Sequence, residues 1–208
     1  IKFKSRMKEY YAKTGIPTAR YHMVDTLENC LAFAEKVHLP VVAKPDNGVG
    51  ASHTFKIENE EQMKQFFEVK WPNTSYIMEE YVNGEVNSYD AIIDSNGEPM
   101  FETGNVTPMS IMDIVNNSDN SIFYILKKLP EDTRAAGRAT VKSFGVKSRF
   151  VHFEFFRLLK DQEGLGKKGD LVALEVNMRP SGGVTPDMID FAHSTDVYKI
   201  WADMIAFD

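Results

Sequence analysis

Apolar and polar residues alternate over short runs in much of this chain, and between those runs they recur at helical spacing. Residues 41–44 read as a short buried strand, 75–82, 86–94, 98–104, 151–156 and 171–177 read as strands from their β-branched or aromatic content, and 19–24 and 53–57 read as two more. Residues 5–14 read as a charged helix that Gly15 closes, with Ile16-Pro17 forcing an extended exit. Asp25-Thr26-Leu27-Glu28 has the spacing of a capping box and opens a helix with Leu27, Leu31, Ala34 and Val37 inward. Asn59 caps a third helix with Met63, Phe66 and Phe67 inward, and Pro130-Glu131-Asp132 opens a fourth that Gly145 ends. Val197, Ile200, Trp201, Met204 and Ile205 form the apolar stripe of a last helix. Ser95-Asn96-Gly97 marks a hairpin turn, and residues 107–120 show no period and read as a flexible loop. The pattern breaks at Asn83-Gly84, so an α+β chain divides into a small lobe with its preceding helix, 1–82, and a larger lobe, 83–208.

Composition narrows the function class. The chain has 208 residues and a formal net charge of −6, with its basic residues dispersed, which argues against nucleic-acid binding. No apolar run reaches the length of a membrane span, and Ile1-Lys2-Phe3-Lys4-Ser5-Arg6 lacks the apolar core of a signal peptide. The single cysteine, Cys30, excludes an internal disulfide and sits in a helical pattern as a small core residue, so a reducing, cytoplasmic setting is the expectation. The histidines show no metal-ligand spacing and read as surface or packed residues.

Chemistry concentrates where a strand ends. Glu175, Asn177 and Arg179 recur at every second position after Leu171-Val172-Ala173-Leu174, which puts them on one face of a strand. Glu154 stands alone among aromatics in Val151-His152-Phe153-Glu154-Phe155-Phe156, and the polar, glycine-rich stretch between the two runs makes them a hairpin that brings Glu154 near Glu175. Two such carboxylates repel unless a cation lies between them, and carboxylate and amide oxygens suit a hard cation. The plain alternative is a polar strand face with an internal ion pair. Lys44 ends a strand before Pro45-Asp46-Asn47-Gly48-Val49-Gly50-Ala51-Ser52, a loop whose amides can cradle phosphate oxygens while the lysine neutralises them. Its plain alternative is an ordinary turn beside an exposed lysine. Gly164-Leu165-Gly166-Lys167-Lys168-Gly169 matches G-x-G-x-x-G letter for letter, but a strand follows it instead of a helix, so it reads as a hairpin tip.

In chain order stand Lys4, Gly15-Ile16-Pro17-Thr18, Pro40-Val41-Val42-Ala43-Lys44-Pro45 with Gly48 and Gly50, Met78-Glu79-Glu80-Tyr81-Val82-Asn83-Gly84, Phe153-Glu154-Phe155, and Glu175-Val176-Asn177-Met178-Arg179. This series resembles the ATP-grasp superfamily of carboxylate-amine ligases over nearly the whole chain. The branch it looks most like includes carbamoyl phosphate synthetase, biotin carboxylase and the amino-acid ligases.

The resemblance implies two α+β lobes clamping ATP, with Lys4 and Lys44 on its phosphates and Gly48, Val49, Gly50 and Ser52 as the mobile loop above them. It implies that Glu79, Glu80, Tyr81 and Val82 meet the adenine, that Glu154, Glu175 and Asn177 hold magnesium or manganese, and that Arg179 stands near the transferred phosphate. Two positions depart from the family pattern: Phe3 replaces the aspartate before the first lysine, and Val86 stands where a glutamate meets the ribose, leaving Glu85 or Asp90 to substitute. The implied reaction joins a carboxylate to an amine, or to a thiol, through an acylphosphate, with small-molecule substrates and neither nucleic acid nor membrane as partner. The family's usual leading domain is missing, so further domains of a longer chain or a homodimer are expected, and the alternative is an ATP-binding domain that does not catalyse. Val41-Val42-Ala43-Lys44 also looks like the lysine strand of protein kinases, but no His-Arg-Asp or Asp-Phe-Gly follows.

Overall fold

The computed structural model describes residues 2–48, 53–108 and 122–208. Two sheets carry the fold. The first is four-stranded, in the order β1 (Tyr21–Met23), β4 (Tyr76–Glu80), β2 (Val41–Pro45), β3 (Phe55–Ile57). Helices α2 (Leu27–Val37) and α3 (Glu60–Val69) cover it, and Cys30, Ala34, Met63 and Phe66 meet Val41, Ala43, Tyr76 and Met78 in its core. The third helix begins on the side chain that the sequence points to, Asn59, which accepts the Gln62 N–H at 2.9 Å; α2 begins one residue later than the capping-box spacing from Asp25 expects, because Thr26 is the cap and accepts the Asn29 N–H at 3.2 Å.

The second sheet runs β10 (Leu171–Asn177), β9 (Arg149–Leu158), β5 (Gly84–Ile93), β7 (Asn105–Thr107), β8 (Tyr124–Ile125), and β6 (Pro99–Thr103) also pairs with β5. One face is apolar: Tyr89, Ala91, Ile93, Val151, Phe153, Phe155 and Val176 pack there with Met7 and Tyr11 of α1 (Lys4–Tyr11) and Ala136 and Val141 of α4 (Glu131–Phe144). The helix α1 therefore belongs to the core of the second sheet, although it precedes the first in sequence. Close packing requires Gly137 in α4, where an added Cβ would lie 2.2 Å from the Tyr89 ring. The chain crosses from one sheet to the other at residues 81–83, and Gln162 braces that crossing by donating to the Tyr81 carbonyl at 2.8 Å and accepting from the Asn83 N–H at 3.2 Å.

Three elements go beyond the sequence expectations. β7 and β8 are too short to carry an alternation, and α5 (Thr185–His193) opens on Pro186 with few periodic apolar residues. In α6 (Val197–Phe207), Val197 and Met204 are buried but Ile205 is 58% exposed, so the helix rests on the sheet by a narrower stripe than its sequence offers. The hairpin tip reading of residues 164–169 agrees with the structure, where Gly164, Gly166 and Gly169 all take positive φ between two paired strands. Thr107 closes β7, and most of the loop expected after it lies outside the described residues, as do Val49, Gly50 and Ser52.

Candidate active site

The other face of the second sheet carries a polar strip between two apolar clusters, one with Ile92 and Phe150 and one with Phe156 and Val172, and a bulge places Glu175 in that strip. In the β9–β10 ladder Ala173 pairs with Phe155, the register shifts, and Glu175 then pairs with Glu154 and Asn177 with His152. Without the extra residue at Leu174, Glu175 would fall on the apolar face, because one step of register reverses every side chain. Across β5 the rows continue as Ser88 beside Glu154 and Asp90 beside His152. Glu175 and Asn177 thus share one face, as the alternation predicts, and the bulge makes it the face of Glu154. Arg179 does not extend this row: β10 ends at Asn177, and Arg179 is exposed on the following bend, donating to the Pro180 carbonyl at 2.8 Å.

Each carboxylate has a cationic neighbour. Lys4 Nζ lies 3.2 Å from Glu175 Oε1 and donates to the Gly48 carbonyl at 2.9 Å. The start of α1 is pinned there by Asp46, whose carboxylate accepts the Ser5 N–H at 2.7 Å and the Ser5 hydroxyl at 2.8 Å. His152 Nε2 lies 3.6 Å from Glu154 Oε1, and its Nδ1 lies 2.8 Å from the fully buried Asp90. Burial alone would lower the His152 pKa, but Asp90 and Glu154 outweigh it and push the imidazole up to about 10, so the ring is cationic at neutral pH. Burial also pulls the Glu154 pKa upward, and His152, then Lys44 and Arg179, outweigh that and hold the carboxyl below its ordinary range. Asp90 accepts in turn from the Ser88 hydroxyl and from Asn105 Nδ2, which fixes the anion under the histidine.

The lysine from the first sheet arrives in a different arrangement. Glu79 is buried between Lys44 Nζ at 2.5 Å and Lys8 Nζ at 2.7 Å, and Lys8 also donates to the Ala19 carbonyl at 2.8 Å. Burial raises the Glu79 pKa, yet the two ammonium groups reverse this and hold it to about 2, whereas burial keeps Lys8 below the ordinary lysine value. Glu80 is buried as well, with both oxygens taken by Arg20: the backbone N–H at 2.6 Å, Nε at 3.0 Å and Nη2 at 2.7 Å. Tyr81 lies at the crossing under Lys56, 5.3 Å from ring to Nζ, and Val82 is buried beside it. Glu85 occupies the register of the apolar face, opposite Arg157, apart from the row of Ser88 and Asp90.

No family model matches the sequence. It is 24% identical over 196 residues to the L-arginine-specific L-amino acid ligase of Bacillus subtilis, an alignment covering 90% of this chain and 45% of that protein. The structure superposes on the biotin carboxylase domain of 2-oxoglutarate carboxylase from Hydrogenobacter thermophilus with a TM-score of 0.75 at 17% identity, over 100% of this chain and 46% of that one. It superposes on D-alanine–D-alanine ligase from Bacillus anthracis with a TM-score of 0.69 at 18% identity, over 97% of this chain and 66% of that one. The chain has the ATP-grasp fold. It spans about half the length of the curated relative, 45%.

Within the ATP-grasp frame, the residues that the sequence singles out fall into two groups. Lys4, Glu175, Glu154 and Asn177 gather on the polar face of the second sheet, with the Gly48 carbonyl tied to them through Lys4. Lys44 and Glu79 meet on one face of the first sheet, whereas Glu80, opposite Val41, lies on the other face and is held by Arg20. Sequence reasoning missed Lys8, Asp90's role as anchor, and His152. The signal for His152 was present in its position, two residues before Glu154 and so on the same strand face.

Proposed function

We propose that this chain is the core of an ATP-dependent ligase that joins a carboxylate to an amine or thiol. The observation that supports the reading best is the polar strip of the second sheet: Glu175 paired with Glu154 and Asn177 in the next pair on the same face, each carboxylate beside a cation whose place a metal ion can take. The donor set is all oxygen, which fits magnesium or manganese. When bound, such an ion neutralises the polyphosphate and draws charge from the phosphoryl group in transit.

The chain's own side chains then divide the work. Lys4 and Lys44 supply fixed positive charge for the phosphate oxygens, and Arg179, exposed on the bend after β10, meets the transferred group. The substrate carboxylate oxygen attacks the γ-phosphorus, the bond to the ADP oxygen breaks, and an acylphosphate forms. The amine nitrogen attacks the acyl carbon, phosphate leaves with the electron pair of the C–O bond, and the nitrogen loses a proton. Ser181 sits next to Arg179 with a buried hydroxyl that lacks a hydrogen-bond partner, and with Gly182 and Gly183 it forms the acceptor end of the site. The crossing segment, with Glu79, Glu80, Tyr81 and Val82, borders the adenine, and the lobes divide near Asn83. The loop of Gly48, Val49, Gly50 and Ser52 covers the phosphates and excludes water from the acylphosphate. Further domains of a longer chain, or a second copy, complete the substrate surface. The single cysteine is unbridged, which fits a cytoplasmic setting, and no helix among the described residues is long and apolar enough to cross a membrane.

Thermal unfolding with ATP, with and without magnesium, tests the reading on this chain and on Lys44→Ala. ATP stabilises the wild-type chain, more so with magnesium, and the variant loses most of the shift. Absence of any ATP shift in the wild type, here and in a longer chain, removes the reading. A second reading is a domain that binds ATP without ligation. Magnesium-dependent ATP binding with no ADP release across a panel of carboxylates and amines supports it.

A further inference from the structure

A different set of donors meets at the corner between β1 and α2. His22 lies on β1, Asp25 on the turn, and Cys30 in the first half of α2, and one ligand atom from each lies within 4.8 Å of the others. His22 Nε2 and Asp25 Oδ1 are 2.9 Å apart. The sulfur is the floor of the group: Cys30 is 0% exposed, whereas the His22 and Asp25 side chains are 31% and 48% exposed and open to solvent. Bond lengths of about 2.3 Å to sulfur and about 2.0 Å to nitrogen or oxygen set tetrahedral ligand atoms roughly 3.3–3.6 Å apart. The group therefore needs only small shifts to enclose a cation.

The surrounding contacts already hold two of the donors in place. The Thr26 N–H donates to Asp25 Oδ1 at 2.6 Å and Asn29 Nδ2 donates to Oδ2 at 2.8 Å, so the carboxylate is oriented by groups that are not themselves ligands. The His22 ring stacks on Phe33, with centroids 5.9 Å apart and planes inclined by 26°. Helix-start hydrogen bonding alone accounts for Asp25, Thr26 and Asn29. Core packing accounts for the burial of Cys30, and neither it nor the helix start calls for a sulfur within 4.8 Å of both the imidazole and the carboxylate.

We infer that His22, Asp25 and Cys30 bind one zinc-class divalent cation, with water as the fourth ligand, and so clamp β1 to α2. Thiolate, imidazole and carboxylate together select zinc or cobalt over magnesium, which separates this site from the all-oxygen face of the second sheet. Burial keeps the Cys30 thiol protonated in the metal-free chain, so its proton leaves to solvent as the sulfur–metal bond forms.

Cobalt(II) and then zinc(II) titrated into the whole chain, stripped of metal with a chelator, test this directly. One equivalent of cobalt gives a thiolate-to-cobalt absorption band, zinc bleaches it, and zinc raises the melting temperature. Cys30→Ser abolishes the band, and His22→Asn weakens affinity about 10-fold or more. His22 is partly exposed, so its variant decides the matter if Cys30→Ser fails to fold. No band and no zinc-induced shift in the wild type, or a band unchanged in His22→Asn, overturns the inference.

Discussion

The two sheets bury charge at their functional ends in opposite ways. At the end of the first, a single carboxylate, Glu79, is closed between two ammonium groups at 2.5 and 2.7 Å, and burial on all sides makes the three a structural unit. On the second, Glu175 and Glu154 each face one cation, at 3.2 and 3.6 Å, and are somewhat less buried than Glu79, with side chains 18% and 15% exposed against 8%. The first arrangement fixes where a lysine stands. The second holds anions ready for exchange, because a metal ion can take the place of each cation beside its carboxylate. Placement of the positive group is thus a matter of folding, and placement of the negative groups a matter of ligand binding.

The contrast fails most visibly if Glu79 can be removed without consequence. Glu79→Leu leaves Lys8 and Lys44 uncompensated in a buried site, and the expected loss is about 3–5 kcal/mol in urea unfolding. A loss below about 1 kcal/mol would mean that the triad is solvated and not structural.

Acid titration sharpens the same point with a smaller effect. The Glu79 pKa falls from 4.5 to about 2 on folding, so its contribution is fully present above pH 4.5 and disappears as the pH drops through about 2. That shift corresponds to roughly 3 kcal/mol. Glu79→Gln should therefore show a flatter stability profile than the wild type between pH 4.5 and 2, while the two profiles run parallel above pH 5. Parallel profiles throughout would contradict the depressed pKa.

How much of this was legible beforehand depends on how local the cause is. The cap Asn59 and the left-handed residue Gly145 act within one turn and can be read from neighbours, although at α2 the cap falls on Thr26, one residue past Asp25. The pairing of Glu154 with Glu175 could be read from the hairpin, but the bulge at Leu174 that puts them on one face could not, because no turn residue or proline marks it. Lys8 reads as one more charge on a charged helix. Its partner lies 71 positions away on β4, and only the fold that lays α1 beside the crossing brings the two together. His152 and Asp90 are hidden in the same way, each on its own strand and joined only by the β5–β9 register.

On the second sheet the effects on folding are small and those on binding large. Among the described residues Glu154→Gln removes an anion whose ion-pair partner is His152, and the ring keeps its bond to Asp90, so urea unfolding should move by no more than about 1 kcal/mol. The magnesium-dependent part of the ATP-induced thermal shift should vanish in the same variant. A stability loss as large as that of Glu79→Leu would erase the distinction between the two ends.

The smallest effect is the most discriminating. Lys4 and Glu175 lie 3.2 Å apart, but Lys4 keeps its hydrogen bond to the Gly48 carbonyl when the carboxylate is gone. A double-mutant cycle of Lys4→Met and Glu175→Gln should therefore give a coupling energy of about 0.5–1 kcal/mol in the absence of ATP. With magnesium and ATP present, the exchange described above predicts that Lys4 turns to phosphate and Glu175 to the metal, so the direct pair no longer contributes to stability. The coupling should then fall towards zero even though both single variants bind ATP more weakly. Coupling that is unchanged by saturating ATP would show that the pair is structural, like the triad around Glu79, and that the second sheet holds its anions as firmly as the first holds its cations.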